Sequence, residues 1–191
     1  MTTHVPGRRW LAAAIVCLMA WQSAHAAKSP DKERAEIRET SAKVLERLYK
    51  VEPGAHEVIE DAAGYAVFSN VGTKILLVGG GAGKGLAVDR KTGAETFMKM
   101  VELQTGLGFG VKKFQLVWVF ATKSALDGFV NSGWEFGGQA TAAAQYEGQG
   151  AALQGAVPVS AGVWLYQLTD DGLAFELTVK GTKYYQDDDL N

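Results

Sequence analysis

Ala63–Arg90, AGYAVFSNVGTKILLVGGGAGKGLAVDR, places five glycines within the seven residues from Gly79 to Gly85, between two apolar runs that read as strands. Glycines clustered beside a lysine suggest a phosphate cradle, in which backbone N–H groups and the ammonium hold a nucleotide. The spacing rejects it. A P-loop needs Gly, four residues, then Gly-Lys-Ser/Thr; counting back from Gly83-Lys84 reaches Val78, and Gly85 stands where the magnesium-binding hydroxyl belongs. The dinucleotide pattern G-x-G-x-x-G also fails, since Gly79 and Gly81 are followed by Lys84, and Gly81 and Gly83 by Leu86. The segment therefore reads as a strand, a turn or bulge that uses glycine's freedom at positive φ, and a second strand.

Upstream, residues 31–50 set Ile37, Val44, Leu48 and Val51 on one helical stripe, with charges elsewhere. Pro30 starts this helix, and Pro53-Gly54 separates it from a shorter one over roughly 54–62. Its six bases and five acids nearly cancel, which suits packing on a sheet better than electrostatic adsorption to lipid. From Tyr65 onward the period switches to two, with strands expected near 65–71, 74–81, 85–90, 95–103, 105–111, 114–121, 135–145, 157–168 and 173–180. Lys123–Asn131 is the helical exception, with Ala125, Leu126, Phe129 and Val130 at helical spacing. Thr92-Gly93, Asp170-Asp171-Gly172 and Lys112-Lys113 read as hairpin turns.

Gly106, Gly108 and Gly110 alternate with Leu107, Phe109 and Val111, leaving one strand face without Cβ atoms, as a sharply coiled sheet requires. The tract from Gly137 to Ala144 is small on both faces, which suits a crowded curved interior or a slot for an acyl chain. The fold class that follows is α+β: N-terminal helices packed on a strongly curved, glycine-rich, mainly antiparallel sheet or barrel.

The block Ala63-x-Tyr65-Ala66-Val67-Phe68-x-Asn70-Val71, then Gly79-Gly80-x-x-Gly83-x-Gly85 ending at Arg90, then Gly106-x-Gly108-x-Gly110, resembles the SYLF family. The resemblance continues through Phe136-Gly137 and Ala140-Thr141-Ala142-Ala143-Ala144 and covers most of residues 32–183. It is to the bacterial secreted branch of a family that includes yeast actin-binding and eukaryotic phosphoinositide-binding proteins. It implies a non-enzymatic domain that binds lipid at a membrane surface.

Residues 1–26 have the parts of an export signal: Arg8-Arg9, the apolar run Trp10–Trp21, and a small-residue site at Ala24-His25-Ala26. Cleavage after Ala26 leaves residues 27–191 as a single domain, long enough to bury one sizeable core. It places the protein in the periplasm and removes Cys17, the only cysteine. It also takes away two arginines, so the formal charge moves from −2 to −4, against a nucleic-acid partner.

Catalytic chemistry finds little footing. His56 is the only histidine after residue 26, and Glu60 stands where a zinc helix H-E-x-x-H needs its second histidine. No serine lies in a G-x-S-x-G elbow. Carboxylate pairs for glycoside hydrolysis need only spatial proximity, and nothing points to them. Asp187-Asp188-Asp189 matches no calcium loop and reads as a solvated acidic terminus. No catalytic residue, metal or cofactor is expected. The expected partner is an anionic phospholipid surface, met by a rim of hairpin bases: Lys74, Lys84, Arg90, Lys91, Lys112 and Lys113. Trp134, at a helix-to-strand junction, is the expected interfacial ring, and Trp118 and Trp164 fall in apolar runs. The alternative is a structural or protein-interaction module of the bacterial envelope, with an envelope protein as partner and the actin binding of yeast relatives as its counterpart.

Overall fold

The computed structural model describes residues 28–75, 78–105, 110–132, 135–136, 155–174 and 182–191. Three helices, α1 (Pro30–Val51), α2 (Gly54–Asp61) and α3 (Lys123–Asn131), accompany strands β1 (Gly64–Ile75), β2 (Val78–Asp89), β3 (Glu95–Thr105), β4 (Gly110–Phe120), β5 (Glu135–Phe136), β6 (Val157–Ser160), β7 (Val163–Thr169), β8 (Gly172–Ala174) and β9 (Thr182–Gln186). The strands form one antiparallel sheet in the order β5-β9-β3-β2-β1-β4-β7-β6, with β8 also paired to β7. The sheet is curled into a half-barrel, and the fold is α+β.

The helices begin and end where local chemistry directs. The Ser29 hydroxyl accepts from the backbone N–H of Lys32, Pro30 opens the first turn, Asp31 and Glu33 face the positive end of the helix dipole, and Lys50 lies in the last turn. Thr122 caps α3 through the N–H of Ala125 at 3.2 Å.

Alternation along the strands divides the apolar residues between two faces. One face carries Phe68, Met98, Met100, Phe114, Leu116, Trp118, Phe120 and Tyr184, covered by Leu126 and Phe129 of α3. The Phe129 ring lies 5.0–6.1 Å from Phe68, Trp118, Phe120 and Tyr184. The other face carries Val67, Val117, Val119, Tyr166 and Leu168, under Val44 and Leu48 of α1 and Ala55 and Ile59 of α2. Helices on both sides explain why β1 and β4 read as nearly unbroken apolar runs. Trp118 is fully buried and Trp164 is partly buried against the α1 side, so both belong to the packing.

The glycine cluster corrects the turn-or-bulge reading. β2 runs unbroken from Val78 to Asp89, in continuous register with β1 on one side and β3 on the other. The β1–β2 connection falls at residues 76–77, outside the described residues. The reason is close packing, not turn geometry. A Cβ on Gly83 would sit 2.7 Å from the Ser69 carbonyl and 2.8 Å from Met100 Cγ, and one on Gly85 would overlap the Phe68 ring. Positive φ is used at true turns instead, including Gly93 (72°) between β2 and β3 and Gly172 (118°), the first residue of β8.

Other expectations moved. Lys112-Lys113 lies inside β4, not in a turn, and the span expected as one strand over 157–168 is broken by a turn at Gly162. β9 was not anticipated. Gly106, Gly108 and the tract from Gly137 to Ala144 lie outside the described residues.

Two buried phenols carry a pH prediction. Burial holds Tyr184 well above its ordinary value of 10, and burial, with the Glu52 charge adding, pushes Tyr166 up to about 12. The folded protein thus keeps protons that the unfolded chain releases near pH 10. This stability is fully present below pH 10 and is lost as pH rises from there through about 12. Thermal melts from pH 8 to 12 are expected to show a midpoint that falls steeply above pH 10, less steeply in Tyr166→Phe; a midpoint unchanged up to pH 12 contradicts the assignment.

Candidate functional site

The charges of the central strands are unevenly placed. β2, β1 and β4 are neighbours, and between them carry Lys74, Lys84, Lys112 and Lys113 against one acid, Asp89, at the last position of β2. Lys74 pairs with Gly79 of β2 and Gly110 of β4, while Lys112 pairs with Gly72 and Lys113 with Val71. These three bases therefore occupy adjoining register positions toward the β1–β2 end of the sheet. No acid lies on β1 or β4 to offset them.

Arg90 and Lys91 sit elsewhere. They form the β2–β3 turn, about 33 Å along β2 from the level of Lys74. There Asp89 Oδ1 accepts from the N–H groups of Lys91 (2.9 Å) and Thr92 (3.0 Å), and the Thr92 bond, first among its contacts, holds the carboxyl below its usual range. Arg90 donates to the Glu60 carbonyl. A single rim of all six bases is thus corrected to one group at each end with Lys84 midway, because successive turns of a meander fall at opposite ends. Trp134 lies outside the described residues.

Lys84 belongs to a second constellation. It lies directly opposite Lys99 of β3 on the α1 face, an arrangement that is repulsive without an intervening anion. The anions come from both ends of the chain. Glu33 of α1 pairs with Lys84; Asp187 lies 2.6 Å from Lys99 and 3.6 Å from Lys84; Asp189 lies 3.1 Å from Lys99. Hydrogen bonding to Asp187, then to Asp189, holds Lys99 above the ordinary lysine range. A cleft of about 260 Å³ opens beside Lys84, between α1 and β1, lined also by Lys28, Glu33, Glu36, Ser41 and Ser69.

The terminus is therefore docked through Asp187, correcting the solvated reading there, while Asp188 and Asp189 are exposed as expected. Asp187 is fully buried, as is Leu190, which packs with Ile37, Leu86 and Phe97. Asn191 brackets Phe97 by accepting from its N–H at 2.8 Å and donating to its carbonyl at 2.9 Å, and Arg34 donates to the Leu190 carbonyl. The Lys84–Lys99 pair follows from a hairpin centred between Lys91 and Thr92; a turn centred on Thr92-Gly93 would instead set Val101 opposite Lys84. Docking of Asp187 had no local signal.

His56 is exposed on α2, 3.5 Å from Glu60. Among the described residues no group of three or more His, Cys, Asp or Glu is placed to hold a metal ion, and no helix is long and apolar enough to cross a membrane.

The fold is an antiparallel half-barrel braced by an N-terminal helix. Residues 101–191 match the Ysc84 family model, described as Las17-binding protein actin regulator, a family also called SYLF. The chain is 33% identical over 163 residues to Beta cell expansion factor A of Aeromonas veronii, a bacterial SYLF-family protein. The match covers 85% of this chain and 60% of that protein, so the chain spans about three fifths of the length of this curated relative.

Proposed function

We propose that this protein is an exported, non-enzymatic domain that docks peripherally on a membrane surface rich in anionic phospholipid headgroups. The observation that carries the reading is the set of Lys74, Lys112 and Lys113 at one end of adjacent strands, Lys74 and Lys112 at positions of one sheet face and Lys113 at a position of the other, with no acid on β1 or β4 to offset them. Each lysine near an anionic surface contributes about 1 kcal/mol, and the attraction is screened by salt. Apolar surface lies on neighbouring strands: Ala82 and Val101, cross-strand partners on β2 and β3, are exposed, and Lys183 beside them is exposed too. Residues 1–26 fit a cleaved signal, which would deliver the domain to the periplasm.

Charge reversal at the two ends of the sheet separates this surface from general electrostatics. Lys74→Glu/Lys112→Glu/Lys113→Glu is expected to weaken binding to anionic vesicles at least about tenfold, and Arg90→Glu/Lys91→Glu by no more than about threefold. Equal losses in both variants, or none in the first, would remove the β1–β2 end as the binding surface.

A further inference from the structure

The Lys84–Lys99 pair has a built anion position between its ammonium groups, and the chain's own tail fills it. Two lysines directly opposite on antiparallel strands repel unless an anion lies between them, and here the Asp187 carboxylate does so from a fully buried position. The fit is uneven. Asp187 Oδ1 is 2.6 Å from Lys99, whereas Oδ2 is buried without a hydrogen bond and 3.6 Å from Lys84, which is drawn toward Glu33 instead. Lys84 also lines the cleft beside α1, and its side chain is 42% exposed, so an anion from solvent can reach it while the tail is bound.

We infer that Lys84 and Lys99 form a binding site for phosphate-bearing anions that the C-terminal tail occupies as an internal competitor. With the tail docked, Glu33, Asp187 and Asp189 outnumber the two lysines and weaken the site's hold on an external anion. With the tail displaced, the two ammonium groups face solvent, Glu33 being the ion-pair partner that remains to Lys84 among the described residues, and the row Ala82–Val101–Lys183 adjoins them. This deepens the membrane reading by naming a regulated anion site on the α1 face. The competition is intramolecular, so the tail holds the site at a high effective concentration, and a dense array of phosphates competes better than a dilute one.

The test uses a soluble probe and a membrane in parallel. Asp187→Asn/Asp189→Asn keeps the shape of the tail and removes the two carboxylates that pair with Lys84 and Lys99. Inorganic pyrophosphate, titrated by calorimetry, is expected to bind this variant at least about tenfold more tightly than the parent protein, and Lys84→Gln/Lys99→Gln in the variant background is expected to abolish the gain. Asp189→Asn alone, at an exposed position, gives a smaller gain in the same direction if the double variant does not fold. Pyrophosphate affinity that is the same in parent and folded variant, or that survives loss of both lysines, overturns the site. Vesicles of phosphatidylglycerol and of phosphatidylcholine identify the source of the phosphate: a matching gain on the anionic vesicles alone assigns it to lipid headgroups, and a gain confined to pyrophosphate assigns it to free phosphate esters. Failure of the parent protein to bind any vesicle sinks the membrane reading and leaves the pyrophosphate result standing.

Discussion

Gly85→Val is expected to destabilise the protein by about 3 kcal/mol or more, enough to lower the thermal midpoint by about 10 °C. A Cβ at this position would overlap the Phe68 ring and the Val67 carbonyl, both on the neighbouring strand. Neither can yield. Val67 is held in the β1–β2 ladder, and Phe68 is fully buried with its ring 4.9 Å from Tyr184 and 6.1 Å from Phe129. Gly80→Ala is the control, since the nearest atom to its added Cβ is the Glu102 carbonyl at 3.6 Å, an ordinary contact. It is expected to change stability by no more than about 0.5 kcal/mol, or to raise it by restricting the unfolded chain. Urea unfolding of the two variants decides the matter: a Gly85→Val protein within 1 kcal/mol of the parent would show that close strand packing is not why glycine stands there.

Deletion of residues 187–191 is expected to cost about 4 kcal/mol. Burial of Leu190 supplies about 2 kcal/mol, and the hydrogen bonds to Phe97 with the Asp187 ion pairs supply a similar sum. The loss is expected to be local as well as global. Glu33 and Arg34 tie the first turns of α1 to Lys84 and to the Leu190 carbonyl, so hydrogen exchange should rise over residues 30–38 more than in β4. Leu190→Ala isolates the apolar part, at about 2 kcal/mol. A deletion that leaves both the unfolding midpoint and exchange in α1 unchanged would contradict the docked tail.

The helices were legible because their signals are local: a proline start, a stripe at helical spacing, a Pro-Gly break. Residue patterns also exposed the antiparallel character of the sheet, through Thr92-Gly93 and Asp170-Asp171-Gly172. The glycine cluster misled because the reason for it lies on other strands: Gly83 and Gly85 make room for Met100 and Phe68, and a sequence does not show which side chain crosses which strand. The same limit applied to the charges. Lys84 reads as a free hairpin lysine until β3 brings Lys99 opposite it and the tail brings Asp187 between them. Arg90 and Lys74 look alike in sequence, and topology puts them at opposite ends of β2.

The central claim, that this domain binds an anionic membrane surface, is tested most directly by co-sedimentation of the purified protein with phosphatidylcholine vesicles and with vesicles containing phosphatidylglycerol, from low to high salt. Binding to the anionic vesicles is expected to weaken steadily as salt shortens the screening length, with little binding to the neutral ones. Folded protein that stays in the supernatant with both vesicle types at low salt would contradict it.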